Sequence, residues 1–286
     1  MTEDTARTTL RSALAEQVDG EVRFDAGTRA AYAHDGSNYR QVPIGVVVPR
    51  TADAAVAAIA LCHDAGVPVL SRGGGTSLAG QCCNEAVVID WTKYCHQLVS
   101  VDPAARTAVI QPGMALDKAN DALADHGLMV GPRPSTHVSC TIGGMIGNNS
   151  CGASAQAYGK MVDSVRRLEI LTYGGLRTWT GETTDAEYEQ IIAAGGAKAD
   201  LYRRLREIRD AYLQAIRTGY PQIPRRVSGY NLDSLLPERG FHVARALVGS
   251  ESTLVTVLQA EIDLVEVPKH KSLVVLGYPD IAEAAD

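Results

Sequence analysis

Residues 72–84 read RGGGTSLAGQCCN, the stretch that constrains this chain's backbone most tightly. An apolar, strand-like segment, Val67 to Leu70, runs directly into them. Three consecutive glycines after a strand put no side chain between the backbone and whatever lies against it. Glycine enters the φ > 0 region at little steric cost, so successive N–H groups can converge on one point. A concave set of N–H groups holds an anion, most often a phosphate. Ser71, Thr76 and Ser77 add hydroxyl donors. A plain glycine-rich turn satisfies the same backbone rule, so the run alone leaves both readings open. Two other phosphate loops are excluded by spacing. Counted from Gly73, the G-x-G-x-x-G fingerprint puts Leu78 at its last position. Gly75 and Gly80 have P-loop spacing, but Gln81 and Cys82 follow where Lys and Ser/Thr are needed. The loop suits a diphosphate that is held and not hydrolysed.

Composition narrows the class. The chain has 286 residues, enough for one large domain or two with an ample core. The net charge is −6 and no basic block marks a nucleic-acid or anionic-membrane surface. No apolar run approaches the ~20 residues that span a bilayer. The N-terminus, MTEDTARTTLRSALAEQ, lacks the apolar core of a signal peptide. Six cysteines, at 62, 82, 83, 95, 140 and 151, are too sparse for a disulfide framework and indicate a reduced, cytoplasmic setting. With no C-x-x-C and scattered histidines, no zinc or iron–sulfur site is expected from this chain alone, so the metal expectation is none.

Periodicity organises the rest. Residues 8–18 predict an amphipathic helix, and 27–43 read as irregular and polar. IGVVV (44–48), a helix from Ala52 to Ala65 capped by Thr51 and closed by Gly66, and VPVLS (67–71) make a β–α–β unit that delivers the chain to the glycine loop. AVVID (86–90), LVSVD (98–102) and TAVIQ (107–111) are strand-like, with a turn at Asp102-Pro103. Ala115 to His126 is a second helix, stopped by Gly127. Residues 131–160 lack periodicity and are dense in Gly, Ser, Asn and Thr, and so long a run inside a domain is usually functional. Residues 165–172 and 176–180 predict a hairpin. Leu201, Leu205, Ile208, Tyr212 and Ile216 are spaced as a core-facing stripe. Residues 253–267 are strand-rich, SLVVLGY (272–278) predicts a further strand, and PDIAEAAD a short helix.

Five segments in this order and spacing carry a resemblance: DGSNYRQVPIGVVVPR (35–50), RGGGTSLAGQCCN (72–84), GPRPSTHVSCTIGGMIGNNSCG (131–152), RRVSGYNLD (225–233) and LVGSEST (247–253). They resemble the FAD-binding domain of the vanillyl-alcohol oxidase/p-cresol methylhydroxylase superfamily. The branch is that of D-lactate dehydrogenase, the glycolate oxidase FAD subunit and D-2-hydroxyglutarate dehydrogenase, within it the large proteins that fuse this flavin domain to an iron–sulfur domain. The resemblance implies a two-lobed α+β, PCMH-type FAD-binding fold. It implies an N-terminal extension over 1–39, the FAD-binding domain over 40–267 with lobes of about 40–100 and 101–265, and the start of a truncated cap domain over 268–286.

The resemblance also implies site residues. Ser71, Arg72, Gly73, Gly74, Gly75, Thr76 and Ser77 match the loop around the FAD pyrophosphate, with Gln81 just beyond. Pro134, Ser135, Thr141, Ile142, Gly143 and Gly144 match a second loop over the diphosphate and flavin. Asn148, Ser150, Cys151 and Gly152 continue it. Tyr158, Gly159 and Val162 match the return to the cofactor, and Gly249, Ser250 and Glu251 a late turn against it. There are three departures. Arg133 stands where the branch more often has an acid. Ser252 replaces the glycine of the usual GSEGT. Thr76 lies where members with covalent flavin carry a histidine, which implies noncovalent FAD, a cysteinyl-flavin through Cys140 or Cys151 being the alternative.

The implied reaction is hydride transfer from a 2-hydroxy acid to FAD, which needs a carboxylate anchor and a proton acceptor. Arg225, Arg226, Tyr230 and His137 are the candidates in this chain. Against them stand a solvated loop after Pro224 and a hydrogen-bonded structural histidine. In the branch the catalytic histidines, any metal and most substrate contacts lie in a later cap domain, so the chain is expected to be the flavin half of a larger enzyme, cytoplasmic or peripheral to a membrane, and inactive alone. Two other readings stay open: a reductase of the enolpyruvyl-UDP-aminosugar type, and a flavin module that only carries electrons.

Overall fold

The computed structural model describes residues 3–270 and 272–285. From the N-terminus, α1 (Glu3–Gln17) is followed by β1 (Gly20–Arg23), α2 (Ala26–Ala31), β2 (Gly45–Pro49), α3 (Ala52–Asp64), β3 (Val69–Arg72) and β4 (Val87–Asp90). These strands form one sheet in the order β1-β2-β4-β3, with β2, β4 and β3 parallel and β1 antiparallel on the edge. The β–α–β unit stands as the sequence requires: Thr51 Oγ1 accepts from Ala54 N at 3.0 Å, and Gly66 turns the chain out at φ +66°. Every residue of β2 is buried, as expected of a parallel strand covered on both faces. Val47, Val87 and Ile89 pack under α1 and α3 through Leu14, Ala55 and Ile59, while Val46, Val48 and Val88 face the other side.

The chain then forms β5 (Leu98–Asp102), β6 (Thr107–Ile110), α4 (Leu116–Leu123), β7 (Leu128–Met129), α5 (Ile142–Gly147), α6 (Ala155–Tyr158), α7 (Met161–Ser164), β8 (Val165–Leu171) and β9 (Arg177–Thr180). There follow α8 (Asp185–Ala194), α9 (Gly196–Ala211), α10 (Leu213–Gly219), α11 (Val243–Leu247), β10 (Thr256–Asp263), β11 (Val265–Glu266) and α12 (Ile281–Ala285). An antiparallel sheet runs β5-β6-β10-β8-β9. Its central strand, β10, alternates strictly between buried and half-buried residues. Of the buried set, Ala260 and Ile262 pack on α4 and α5 with Leu116, Leu123, Ile142 and Met145, while Leu258 joins the core around α1 and α3. Gly127 stops the α4 region in the left-handed conformation, at φ +66°. No helix of the described residues is long and apolar enough to cross a membrane.

Four expectations need correction. The region 27–43 is not wholly irregular, because Asp25 Oδ1 accepts from Thr28 N at 2.8 Å and starts α2. Residues 131–160 hold two short helices, the first capped by Thr141. The stripe over 199–218 is misplaced in part: Leu205 and Ile216 face inward, but Ile208 and Tyr212 are exposed, and the buried face of α9 carries Ala199, Tyr202 and Arg209. There the arginines act as core cover. The Arg206 guanidinium lies 3.5 Å over the Tyr188 ring and that of Arg209 lies 5.3 Å over Phe241, so cationic residues occupy a helical face that hydropathy reads as polar. Finally, 272–278 forms no strand. Leu273, Val274 and Val275 are 75–89% exposed, and β-propensity without an edge to pair with does not make a strand.

His242, the cap residue of α11, is buried and its Nδ1 accepts from Arg245 N at 3.2 Å. Burial pushes its imidazole down from 6.5 to about 4, and the charge of Arg245 adds to the effect. Between those values the unfolded chain binds a proton that the folded protein excludes, so stability is full above pH 6.5 and falls toward pH 4, by about 3 kcal/mol. Urea unfolding across that window is expected to show the loss in the wild type and not in His242→Asn, whose amide oxygen can still cap.

Candidate functional site

Strand β3 ends on Ser71 and Arg72 and releases the glycine loop with no helix behind it. A Cβ on Gly73 would lie 2.0 Å from Thr141 Oγ1, and one on Gly74 would lie 2.0 Å from the Ser139 carbonyl oxygen. Gly75 is left-handed, at φ +64°. The first loop therefore meets the 134–141 loop at the Ser139 backbone and the Thr141 side chain, approaches open only to glycine. Thr141 Oγ1 accepts from Gly144 N at 3.3 Å, and Asn148 Nδ2 donates to Ser77 Oγ at 3.2 Å. The late turn joins the same place. Gly249 N donates to Ile146 O at 2.9 Å and Glu251 N to Gly147 O at 3.1 Å, while Gln81 Nε2 reaches Glu251 Oε1 at 3.1 Å.

These three segments enclose two adjoining hollows that share Gly73, Ser77, Cys82, Thr141, Gly144 and Asn148. One is lined by Ser71, Arg72, Gln81, Gly143, Ser250 and Glu251. Its apolar wall is Trp91, Pro112, Leu247, Val255 and Val257, from four elements that no local motif links. The other is lined by Gly74, Gly75, Thr76, Pro134, Ser135 and Ser150. The donors are backbone N–H groups and hydroxyls. Ser71 Oγ is buried without a hydrogen-bond partner and lines the first hollow. An orphan hydroxyl beside glycines that admit no Cβ fits a ligand with several acceptor oxygens, such as a diphosphate.

Other residues singled out from the sequence are near but not on these walls. Ile142 is fully buried in the core. Gly152 is pressed on Arg133, where a Cβ would lie 1.8 Å from the carbonyl oxygen. Gly159 is left-handed, at φ +70°. Val162 N donates to Asn149 Oδ1 at 3.0 Å. Cys151, Tyr158 and Gly249 also lie outside the lining. His137 Nδ1 lies 2.8 Å from Asp117 Oδ2, with the Arg133 guanidinium at 3.3 Å. Arg225 Nη2 donates to Gly152 O at 3.3 Å. Arg226 pairs with the buried Asp233 at 2.7 Å and lies over the Tyr220 ring, and Tyr230 Oη bonds Thr253 Oγ1 at 2.9 Å. None of His137, Arg225, Arg226 and Tyr230 lines either hollow. Cys140 is buried, and burial pushes its thiol up. Among the described residues no group of three His, Cys, Asp or Glu is placed to hold a metal ion.

Ser252 adopts a left-handed conformation of the kind that glycine favours. It stands at φ +63° next to Glu251 at φ +50°, pinned by Thr253 N donating to Ser250 O at 2.9 Å. A side chain there costs ~1–2 kcal/mol, offset in part by the greater unfolded freedom of glycine, so Ser252→Gly is expected to raise stability by about 0.5–1 kcal/mol. Urea unfolding measures it, and a loss of stability would show that the hydroxyl outweighs the backbone.

Residues 43–181 match the profile of the FAD binding domain family. That segment is an FAD binding domain of this family. Among relatives of this FAD-binding chain, D-2-hydroxyglutarate dehydrogenase of Pseudomonas putida is 32% identical over 269 residues, covering 93% of the chain and 27% of the relative. The glycolate oxidase subunit GlcD of Escherichia coli K12 is 33% identical over 176 residues, covering 60% of the chain and 35% of the relative. The chain thus spans about a quarter to a third of the length of these relatives. A solved alkyldihydroxyacetonephosphate synthase matches 94% of the chain and 42% of its own with a TM-score of 0.63 at 17% identity, which shows the shared fold. The fold is the PCMH-type α+β FAD-binding architecture, and FAD is the cofactor that it serves.

Proposed function

We propose that this chain is the flavin-binding part of an FAD-dependent oxidoreductase that takes a hydride from a 2-hydroxy acid. One observation carries the reading: three segments far apart in sequence close on one cleft of amides and hydroxyls. The relatives' names, D-2-hydroxyglutarate dehydrogenase and glycolate oxidase subunit, supply the substrate class. The FAD diphosphate would be held by the amides of Gly73, Gly74 and Gly75 and the hydroxyls of Ser71, Thr76, Ser77, Ser135 and Ser150, and Trp91, Pro112 and Val257 would exclude water. Held noncovalently, FAD supplies the hydride acceptor. On this reading the carboxylate anchor and proton acceptor come from a cap domain, and a flavin module that only relays electrons is the second reading, favoured by the poverty of the hollows in ionisable groups. Absorption spectra of the purified protein titrated with FAD test the first step, with saturable uptake near one FAD per chain expected. No uptake by folded protein would overturn it.

A further inference from the structure

A run of glycines cannot hold its own shape. Each glycine loses more conformational freedom on ordering than any other residue, and it has no side chain to make contacts that would offset the loss. In a cofactor loop the inner face belongs to the ligand, so the shape has to be imposed from the outer face. The outer face here is covered by residues 32–40, which lie ahead of the matched family region and line neither hollow.

The contacts are specific. Arg72, the last residue of β3, sends Nη1 to Tyr32 O at 3.2 Å and to Cys82 O at 2.9 Å, and Nη2 to His34 O at 2.6 Å. Its guanidinium also lies 5.3 Å from the centre of the Tyr32 ring. One rigid fork thus ties the start of the loop, its far end and the 32–34 backbone. Asp35 repeats the link from the other side: Oδ1 accepts from Ser37 N at 2.8 Å and Oδ2 from Cys82 N at 3.2 Å. Gly36 lies so close that a Cβ would come within 3.0 Å of Ser77 O, and a Cβ on Gly80 would meet the Tyr39 ring at 2.9 Å. The segment is itself closed, by Gln41 N donating to Ala33 O at 3.1 Å, and Tyr32 Oη anchors it to Asp90 at the end of β4.

We infer that residues 32–40 are the brace that sets the first FAD loop before the cofactor arrives, with Arg72 and Asp35 as positioning residues that hold the loop through its backbone. This rests on the FAD assignment above. It gives the Arg72 guanidinium a supporting role in the loop, beside the place of Arg72 in the hollow's lining. It also makes the stretch ahead of residue 43 part of the cofactor site. Pre-ordering lowers the cost of binding, so loosening the brace appears as lost affinity and not as lost fold.

Two near-isosteric variants test the brace. Asp35→Asn keeps an oxygen for Ser37 N but sets an amide N–H where Cys82 N–H needs an acceptor. Arg72→Lys keeps the charge and removes the fork. FAD titration of each is expected to give a Kd at least tenfold above wild type. Amide exchange of the FAD-free variants is expected to speed up at least tenfold over 73–83, with β8 and β10 unchanged. Should Arg72→Lys fail to fold, Asp35→Asn decides alone. Affinity within twofold of wild type, or unchanged exchange over 73–83, would overturn the brace. A wild type that takes up no FAD would refute the FAD assignment instead, and the exchange comparison would still decide the brace.

Discussion

Gly74→Ala is expected to remove FAD binding at any concentration that saturates the wild type. The added methyl would sit 2.0 Å from the Ser139 carbonyl oxygen, far inside any real contact. That oxygen cannot swing away as a side chain would, because Ser139 N and Cys140 N are both bound to Thr136 O, at 2.9 and 2.8 Å. The two loops must part by about an ångström, and with them the converging amides that define the anion site. A loss of at least ~100-fold in affinity, or roughly 3 kcal/mol, is the expected size. Gly74→Asp adds a carboxylate facing the diphosphate and should bind still more weakly. Titration followed by flavin fluorescence reads both, and circular dichroism confirms that the variants fold. Wild-type affinity in folded Gly74→Ala would remove this loop from the cofactor site.

The second large effect concerns turnover. Oxidising a 2-hydroxy acid needs a cation for its carboxylate and a base for its hydroxyl proton. Among the described residues lining the two hollows, the ionisable groups are Arg72, Cys82, Cys140 and Glu251. The Arg72 donors are engaged by three carbonyls, and Glu251 already accepts from Gln81. Cys140 is buried, with its thiol pushed toward the neutral form. Loss of a general base alone slows such a step ~10²–10⁴-fold, and loss of orientation adds to it. FAD bound to this chain is therefore expected to bleach at least ~10²-fold more slowly with D-2-hydroxyglutarate, D-lactate or glycolate than in the Pseudomonas putida relative under the same anaerobic mixing. Bleaching at the relative's rate would place anchor and base on this chain, and Arg225, Arg226 and Tyr230 would be the first residues to replace.

How much of this was legible beforehand depended on the range of the interaction. The β–α–β entry could be read because its signals are local: Thr51 caps α3, Gly66 ends it, and the flanking strands are uniformly apolar. The glycine loops could be read because so close an approach admits only one residue type: Gly74 meets the Ser139 backbone and Gly73 the Thr141 side chain in that way. The Ser252 departure was visible too, but only the structure shows that hydrogen bonds around the turn keep a left-handed serine in place.

Long-range pairing decided the remainder. Strand β1 exists because an edge of the parallel sheet is open to residues 20–23, which carry no strand pattern strong enough to announce it. SLVVLGY has that pattern and forms no strand, since nothing in the described chain lies beside it. The core face of α9 was concealed by Arg206 and Arg209, whose planes cover aromatic rings that arrive from α8 and from the segment before α11. Arg72 shows the division most plainly. The sequence by itself determined that an anion-holding glycine loop follows β3, because glycine's freedom at φ > 0 and its lack of a side chain are properties of the residues themselves. Whether the arginine heading that loop points toward a ligand or braces the loop from behind depends on where the carbonyls of Tyr32, His34 and Cys82 lie, and only the tertiary structure sets those positions.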